Sequence, residues 1–183
     1  MNRTTLRAQL QSYRTPYEEE SLFAPDFLAL TEDPLAFRRE RVAGHFTASA
    51  WIVNKERTHT LLTLHRKLGR WLQLGGHADG NENLMEVAKQ EAWEESGLTS
   101  LQLMDSSIFD LDKHIIPERS HVAEHFHYDV RYLFEADLNE PLIKSDESIS
   151  LAWITFDSVV DLIGYNPSIL RMLEKTSKSE IFG

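Results

Sequence analysis

Cysteine is absent from the 183-residue chain, which excludes disulfides and thiolate chemistry and leaves oxygen or imidazole to hold any metal. Also missing is an apolar run long enough to span a membrane. The first twenty residues, MNRTTLRAQLQSYRTPYEEE, lack the apolar centre of a secretory signal. A cytoplasmic location and no membrane partner are the expectations. Positive charge is scarce, with 19 Lys and Arg against 29 Asp and Glu for a net charge of −10. That balance argues against broad nucleic-acid binding, which relies on basic surface. It leaves room for a phosphorylated small molecule, because a bound divalent cation reverses the local field. No repeat, low-complexity tract or break in composition marks a second globular unit, and the length suits one well-filled core. The organisation expected is a helical N-terminal extension over residues 1–40 and a single domain over residues 41–183.

Within the extension, Thr15-Pro16-Tyr17-Glu18 has the form of a capping box with proline at the first helical position. A helix is expected to start there, with Pro25 interrupting it and Pro34 marking a further break. From residue 45 the texture changes. HFTASAWIVN and THTLLTLHR are rich in β-branched and aromatic residues, and NKER between them suits a turn. Further strands are read in WLQL, LQLMDSSIFDLD, HFHYDVRYLFEA and ISLAWITF. Two short helices finish the chain, the last with Asn166 as cap and Pro167 at its first position. Strands on both sides of a central helix, with helices at each end, predict an α/β fold: a mixed β-sheet sandwiched by helices.

The central helix carries the chemistry. Asn83 can cap it, Glu86 sits where a capping-box glutamate belongs, and Gly97 is placed to end it in a left-handed conformation. At about 100° per residue, Leu84, Val87 and Ala88 share one face with Glu91, Glu94 and Glu95. Like charges at these spacings repel, and the helix C-terminus disfavours anions. The solvent side should instead carry Glu86, Lys89, Gln90 and Trp93. A solvated acidic face is therefore the weaker reading. A hard divalent cation such as Mg²⁺ or Mn²⁺ resolves the repulsion, because carboxylate oxygens are its preferred ligands.

The segment from Gly76 to Leu98 resembles the signature of the Nudix hydrolases: glycine, five residues, glutamate, seven residues, then Arg-Glu-U-x-Glu-Glu-x-Gly-U, with U a bulky aliphatic. Gly76, Glu82, Glu91, Glu94, Glu95 and Gly97 hold six of the seven fixed positions. Gln90 stands at the arginine position and Ala92 is smaller than the usual aliphatic. Glutamine can donate a hydrogen bond but brings neither charge nor a bidentate fork. The resemblance covers roughly residues 45 to 165 and implies a Nudix-type fold. It further implies metal-dependent cleavage of a diphosphate linkage in a nucleoside diphosphate joined to some group X. By position it makes Glu91, Glu94 and Glu95 catalytic metal ligands, with Mg²⁺ or Mn²⁺ as cofactor and one glutamate as a candidate base. The carbonyl of Gly75 and the carboxylate of Glu147 are further candidate ligands. Gly76, Glu82, Gln90 and Gly97 would support the box. The alternative is a Nudix-fold binding module or regulator with weak or no catalysis, for which Gln90 is the main support.

Arg66, Lys67 and Arg70 in HRKLGR lead into the box and are candidates for substrate phosphates, with a solvated turn as the equal alternative. His77 could approach substrate or structure its loop. In HFHYDVRYLF, His125, His127, Asp129 and Arg131 alternate onto one strand face. Asp110, Asp112 and His114 alternate likewise, so pairing of the two strands would make a His/Asp patch. A hydrogen-bonded polar face is the first reading of that patch, and a second metal or substrate site the other. Trp51, Trp71 and Trp153 are read as core. The small-molecule substrate is the expected partner, and the N-terminal helices are a candidate homodimer surface.

Overall fold

The computed structural model describes residues 2–118 and 122–178. In chain order the elements are α1 (Arg3–Ser12), α2 (Glu18–Leu30), β1 (Gly44–Val53), β2 (His59–His65), β3 (Arg70–Leu72), β4 (Leu74–His77) and α3 (Leu84–Ser96). There follow β5 (Gln102–Leu103), β6 (Asp110–Ile116), β7 (His125–Glu135), β8 (Ser148–Thr155), α4 (Phe156–Ile163) and α5 (Pro167–Lys178). The fold is α/β, with a mixed β-sheet and helices. The chain forms two compact units, one of Met1–Ser49, Gly75–Ala88 and Asp105–Tyr132, the other of Ala50–Leu74, Lys89–Met104 and Leu133–Gly183. β1, β7 and α3 contribute residues to both.

In the first unit β4 pairs with β1, and β6 pairs antiparallel with β7 in a register that sets Asp110 opposite Arg131, Asp112 opposite Asp129 and His114 opposite His127. Successive residues of a strand face opposite ways. One face of this ladder is therefore apolar, and Phe46, Val130 and Tyr132 are fully buried in it beside Phe27 of α2. The other face is polar but also buried. Thr47 and Ser49 donate to Asp129 at 2.9–3.0 Å, and Arg131 bonds Asp129 at 2.8 Å and Asp110 at 3.1 Å. Arg131 is 2% exposed. Burial opposes its charge, yet the carboxylates of Asp112, Asp129 and Asp110 outweigh that penalty and hold its pKa above the ordinary value.

The N-terminal helices belong to this unit, and they depart from the sequence-based expectation in two ways. Helix α2 begins at Glu18, not at Pro16. The Thr15 hydroxyl accepts from the Tyr17 amide at 3.2 Å and donates to Glu20, so it is not free to cap the first turn. Nor does Pro25 interrupt the helix, which runs through it to Leu30. A mid-helix proline costs about 3 kcal/mol. Burial of Phe27 and Leu30 beyond it returns roughly 1.5–3 kcal/mol each, enough to carry the helix on. Glu20 is itself fully buried and takes hydrogen bonds from the Tyr13 hydroxyl at 2.6 Å and the Leu111 amide at 3.0 Å. This carboxylate ties both N-terminal segments to β6.

In the second unit the strands run β3-β2-β1-β7-β5, with β8 also paired to β2. Asn54 closes the β1–β2 turn by accepting from the amides of Thr58 and His59. Trp51 is fully buried and donates its indole N–H to Thr176 of α5 at 2.8 Å. Trp71 and Trp153 are only half-buried, contrary to the expectation that all three are core. They lie on β3 and β8, which among the described residues pair with β2 alone. No helix among the described residues is long and apolar enough to cross a membrane.

Candidate functional site

Helix α3 opens on Asn83, whose side chain accepts from the Glu86 amide at 3.3 Å and donates to the Glu86 carboxylate at 3.1 Å. Leu84, Val87, Ala88 and Ala92 are buried, while Glu86, Lys89, Gln90 and Trp93 are exposed. The three glutamates do not share one environment. Glu95 is 7% exposed and Glu91 is half-buried, but Glu94 is exposed. Glu94 stands about 60° around the helix from Glu91, on the side opposite Ala92, so it falls at the rim of the buried stripe. There the Gln90 amide donates to its carboxylate at 2.7 Å. Thus the residue at the arginine position holds one of the box glutamates through a neutral donor.

Beyond the helix, Gly97 takes φ +72° and donates its amide to the Trp93 carbonyl at 2.7 Å. A side chain at Gly97 would also strike Ile143, whose Cβ would lie 2.7 Å from it. Ser96 and Ile143 are joined by a backbone hydrogen bond of 2.7 Å, which brings the chain after β7 alongside the helix end. Further along, Glu147 sits exposed in the turn before β8. Arg66 holds this turn. Its amide donates to the Glu147 carbonyl at 2.9 Å, and its guanidinium to the carbonyls of Asp146 at 2.9 Å and Ser148 at 3.2 Å. Arg66 is therefore engaged in shaping the turn that presents Glu147, whereas Lys67 and Arg70 extend exposed from the β2–β3 link.

In the first unit, Gly75 packs against β1 so closely that a Cβ would lie 2.6 Å from the Ala48 carbonyl oxygen. Only glycine fits there. Gly76 continues β4 half-buried. Glu82 pairs with Arg3 at 2.9 Å and accepts from the Arg3 amide at 3.3 Å, so it anchors the start of α1. His77 points into a cluster of imidazoles. Its ring centre lies 4.9 Å from that of His127 and 5.2 Å from that of His45. Burial, reinforced by the charge of Arg39 and by the other imidazoles, pushes the His77 pKa down to about 4. Burial and the facing His77 push that of His127 down to about 2, and burial lowers that of His45. These imidazoles are neutral at pH 7.

Sequence reasoning placed His125 and His127 on the polar face with Asp129 and Arg131, and the β6–β7 ladder brings Asp110, Asp112 and His114 onto it. It missed His45. The available signal was the alternation of His45, Thr47 and Ser49 along β1, the same period-2 polarity that marks β7.

The family profile of the NUDIX domain matches residues 44–175. Among solved structures, an Ap4A hydrolase binary complex from C. elegans superposes with a TM-score of 0.59 at 16% identity, covering 75% of this chain and 98% of that one. A hydrolase of the NUDIX family from Clostridium perfringens gives a TM-score of 0.54 at 25% identity, with 74% and 97% covered. The E. coli dihydroneopterin triphosphate pyrophosphohydrolase gives 0.56 at 13% identity, with 75% and 96% covered. No match was found among curated proteins.

Proposed function

The chain belongs to the NUDIX family, and from that premise we propose that it is a metal-dependent pyrophosphohydrolase acting on a soluble nucleoside diphosphate linked to a further group. The observation that carries this reading is the run Gln90-Glu91-Ala92-Trp93-Glu94-Glu95 on one well-capped helix, with Glu95 and Glu91 drawn toward the interior and Gln90 bonded to Glu94. An array of carboxylates that repel one another and crowd a helix C-terminus fits a hard dication in donor chemistry and charge. When bound, Mg²⁺ or Mn²⁺ supplies charge neutralisation at the phosphoryl oxygens and acidifies the attacking water.

In this reading Glu91, Glu94 and Glu95 would hold the ion, one of them would accept the proton of the attacking water, and the carbonyl of Gly75 and the carboxylate of Glu147 are further candidate ligands. The water oxygen bonds to phosphorus as the bridging P–O bond breaks, and the departing phosphate-bearing group carries off that bond's electron pair. Lys67 and Arg70, with any guanidinium donors Arg66 does not commit to its turn, offset the charge of the outgoing phosphate. His77 is a candidate contact for the rest of the substrate. Gly76, Glu82 and Gly97 fix the loop and helix end on which these groups stand. The bond from Gln90 to Glu94 supports the enzyme reading over a regulator without chemistry, because the orienting role is still filled.

A hydrolysis screen tests this. The purified protein would meet nucleoside triphosphates, dinucleoside polyphosphates, nucleotide sugars, ADP-ribose, NADH and coenzyme A, with Mg²⁺, Mn²⁺ or EDTA. Cleavage that needs the metal and disappears in Glu95→Gln is the expected result. Tight metal-dependent binding of one compound without turnover of any would move the protein to the regulator class.

A further inference from the structure

Three imidazoles from three strands converge in the first unit. His45 is the second residue of β1, His77 closes β4 and His127 lies on β7, and a ring nitrogen of each lies within 4.8 Å of the others. His125 and His114 flank them, with the His125 ring 5.2 Å and the His114 ring 5.5 Å from that of His127. With His45 buried and His77 and His127 half-buried, such a cluster loses hydration with few hydrogen bonds in return.

The hydrogen-bond pattern orients lone pairs. The Nδ1 of His45 faces the Arg41 carbonyl at 3.5 Å, so Nδ1 carries the proton and Nε2 the lone pair. That Nε2 is buried and has no hydrogen-bond partner, in a residue only 3% exposed. Likewise His125 donates from Nδ1 to the Ala123 carbonyl at 2.8 Å, which leaves its Nε2 to accept from the Nε2–H of His127 at 3.3 Å. The lone pair of His127 then resides on Nδ1. A backbone carbonyl that fixes a tautomer while leaving the other nitrogen unprotonated is a usual support of a metal-binding histidine.

We propose that His45, His77 and His127 form a binding site for a transition-metal dication of the zinc type, separate in chemistry from the carboxylates of α3. Neutral imidazole suits zinc, nickel and copper, whereas Mg²⁺ and Mn²⁺ favour oxygen. Two nitrogens on one tetrahedral zinc stand about 3.4 Å apart, given Zn–N bonds of about 2.0–2.1 Å. Ligand atoms within 4.8 Å of one another therefore reach that geometry with ring movements of about 1 Å. Two carboxylates of this region are otherwise engaged, Asp79 by a two-point pair with Arg39 at 2.5 Å and Asp112 by His114 at 2.9 Å and Arg131 at 3.2 Å. The site is thus all-imidazole, with a fourth position for water or an anion. Occupied, it cross-links β1, β4 and β7.

The test uses the full chain, free of any histidine tag and stripped with chelator, titrated with Co²⁺ or Zn²⁺ in millimolar Mg²⁺. One equivalent of Co²⁺ should bind and give the intense visible bands of a nitrogen-rich tetrahedral site. Hyperfine-shifted exchangeable imidazole N–H signals should appear in the proton spectrum of the unmutated protein. His77→Asn and His127→Asn should each weaken Zn²⁺ at least tenfold, and Glu95→Gln should leave it unchanged. Absence of the shifted imidazole signals in the unmutated protein would overturn the site whether or not the variants fold. So would Co²⁺ binding that Glu95→Gln removes and His127→Asn keeps. Either result leaves the hydrolase reading standing, because that rests on metal-dependent turnover.

Discussion

The glutamates of α3 and the histidines of β1, β4 and β7 are brought together by opposite routes. Glu91, Glu94 and Glu95 are neighbours in sequence, placed together by helix geometry alone, and they repel one another in the metal-free protein. His45, His77 and His127 are distant in sequence, placed together by strand pairing, and neutral, so their cost is desolvation instead of repulsion. The contrast teaches what each region asks of its surroundings. A carboxylate array asks for positive charge and tolerates water, as exposed Glu94 shows, whereas the imidazole cluster, with His45 buried and His77 and His127 half-buried, trades hydration for ring contacts.

The largest expected effect breaks the glutamate side. Glu95→Gln should reduce metal-dependent hydrolysis by roughly 10²–10⁴-fold while the thermal midpoint stays level or rises, because a repelling charge is gone. Rates and melting curves measured on the same preparation decide this. A drop in the midpoint would show that the fold needs the Glu95 carboxylate more than it suffers from the repulsion.

Gly75→Ala is the next in size. Its new methyl meets the Ala48 carbonyl, and overpacking of this kind costs about 1–3 kcal/mol, which denaturant unfolding would register. The histidine side is sharpened by pH. In the metal-free protein the pKa of His77 is about 4 and that of His127 about 2, both below the ordinary 6.5. The unfolded chain therefore takes up protons first as the pH falls. Stability should be fullest above about pH 6.5 and decline toward pH 4, and His127→Asn should flatten that decline. Denaturation midpoints at several pH values in the presence of chelator check the slope, and a wild-type curve level between pH 7 and 5 would contradict it. The smallest effect belongs to Gln90→Ala. Removing one hydrogen bond to Glu94, worth about 0.5–1.5 kcal/mol, should slow turnover roughly threefold to tenfold without loss of metal affinity at the histidines.

The two regions were unequally legible. Helix α3, its Asn83 cap, its Gly97 terminus and the exposure of Lys89, Gln90 and Trp93 could be read directly, because each depends on residues within one or two turns. The environment of Glu94 was misread because it lies at the edge of the stripe, where a helical wheel does not separate buried from exposed. Pro25 was expected to interrupt α2, since local propensity favours a break, and the burial of Phe27 and Leu30 overrode it. The alternation of β7 and β6 was visible, but the register that sets His114 opposite His127 was not. Nothing in the local sequence announced that Arg66 would bind the carbonyls before β8, or that Glu82 would meet Arg3.

The strand and helix periods, the box from Gly76 to Leu98 and the crowding of negative charge on α3 follow from the sequence alone, because periodicity, capping and like-charge repulsion act over a few residues. Only the tertiary structure decided that His45 would join His77 and His127, that Glu20 would be buried beneath Tyr13 and Leu111, and that Gly75 would press on β1. Those outcomes depend on pairing between segments far apart in the chain, where the free energy comes from burial shared among many residues and no single stretch carries its sign.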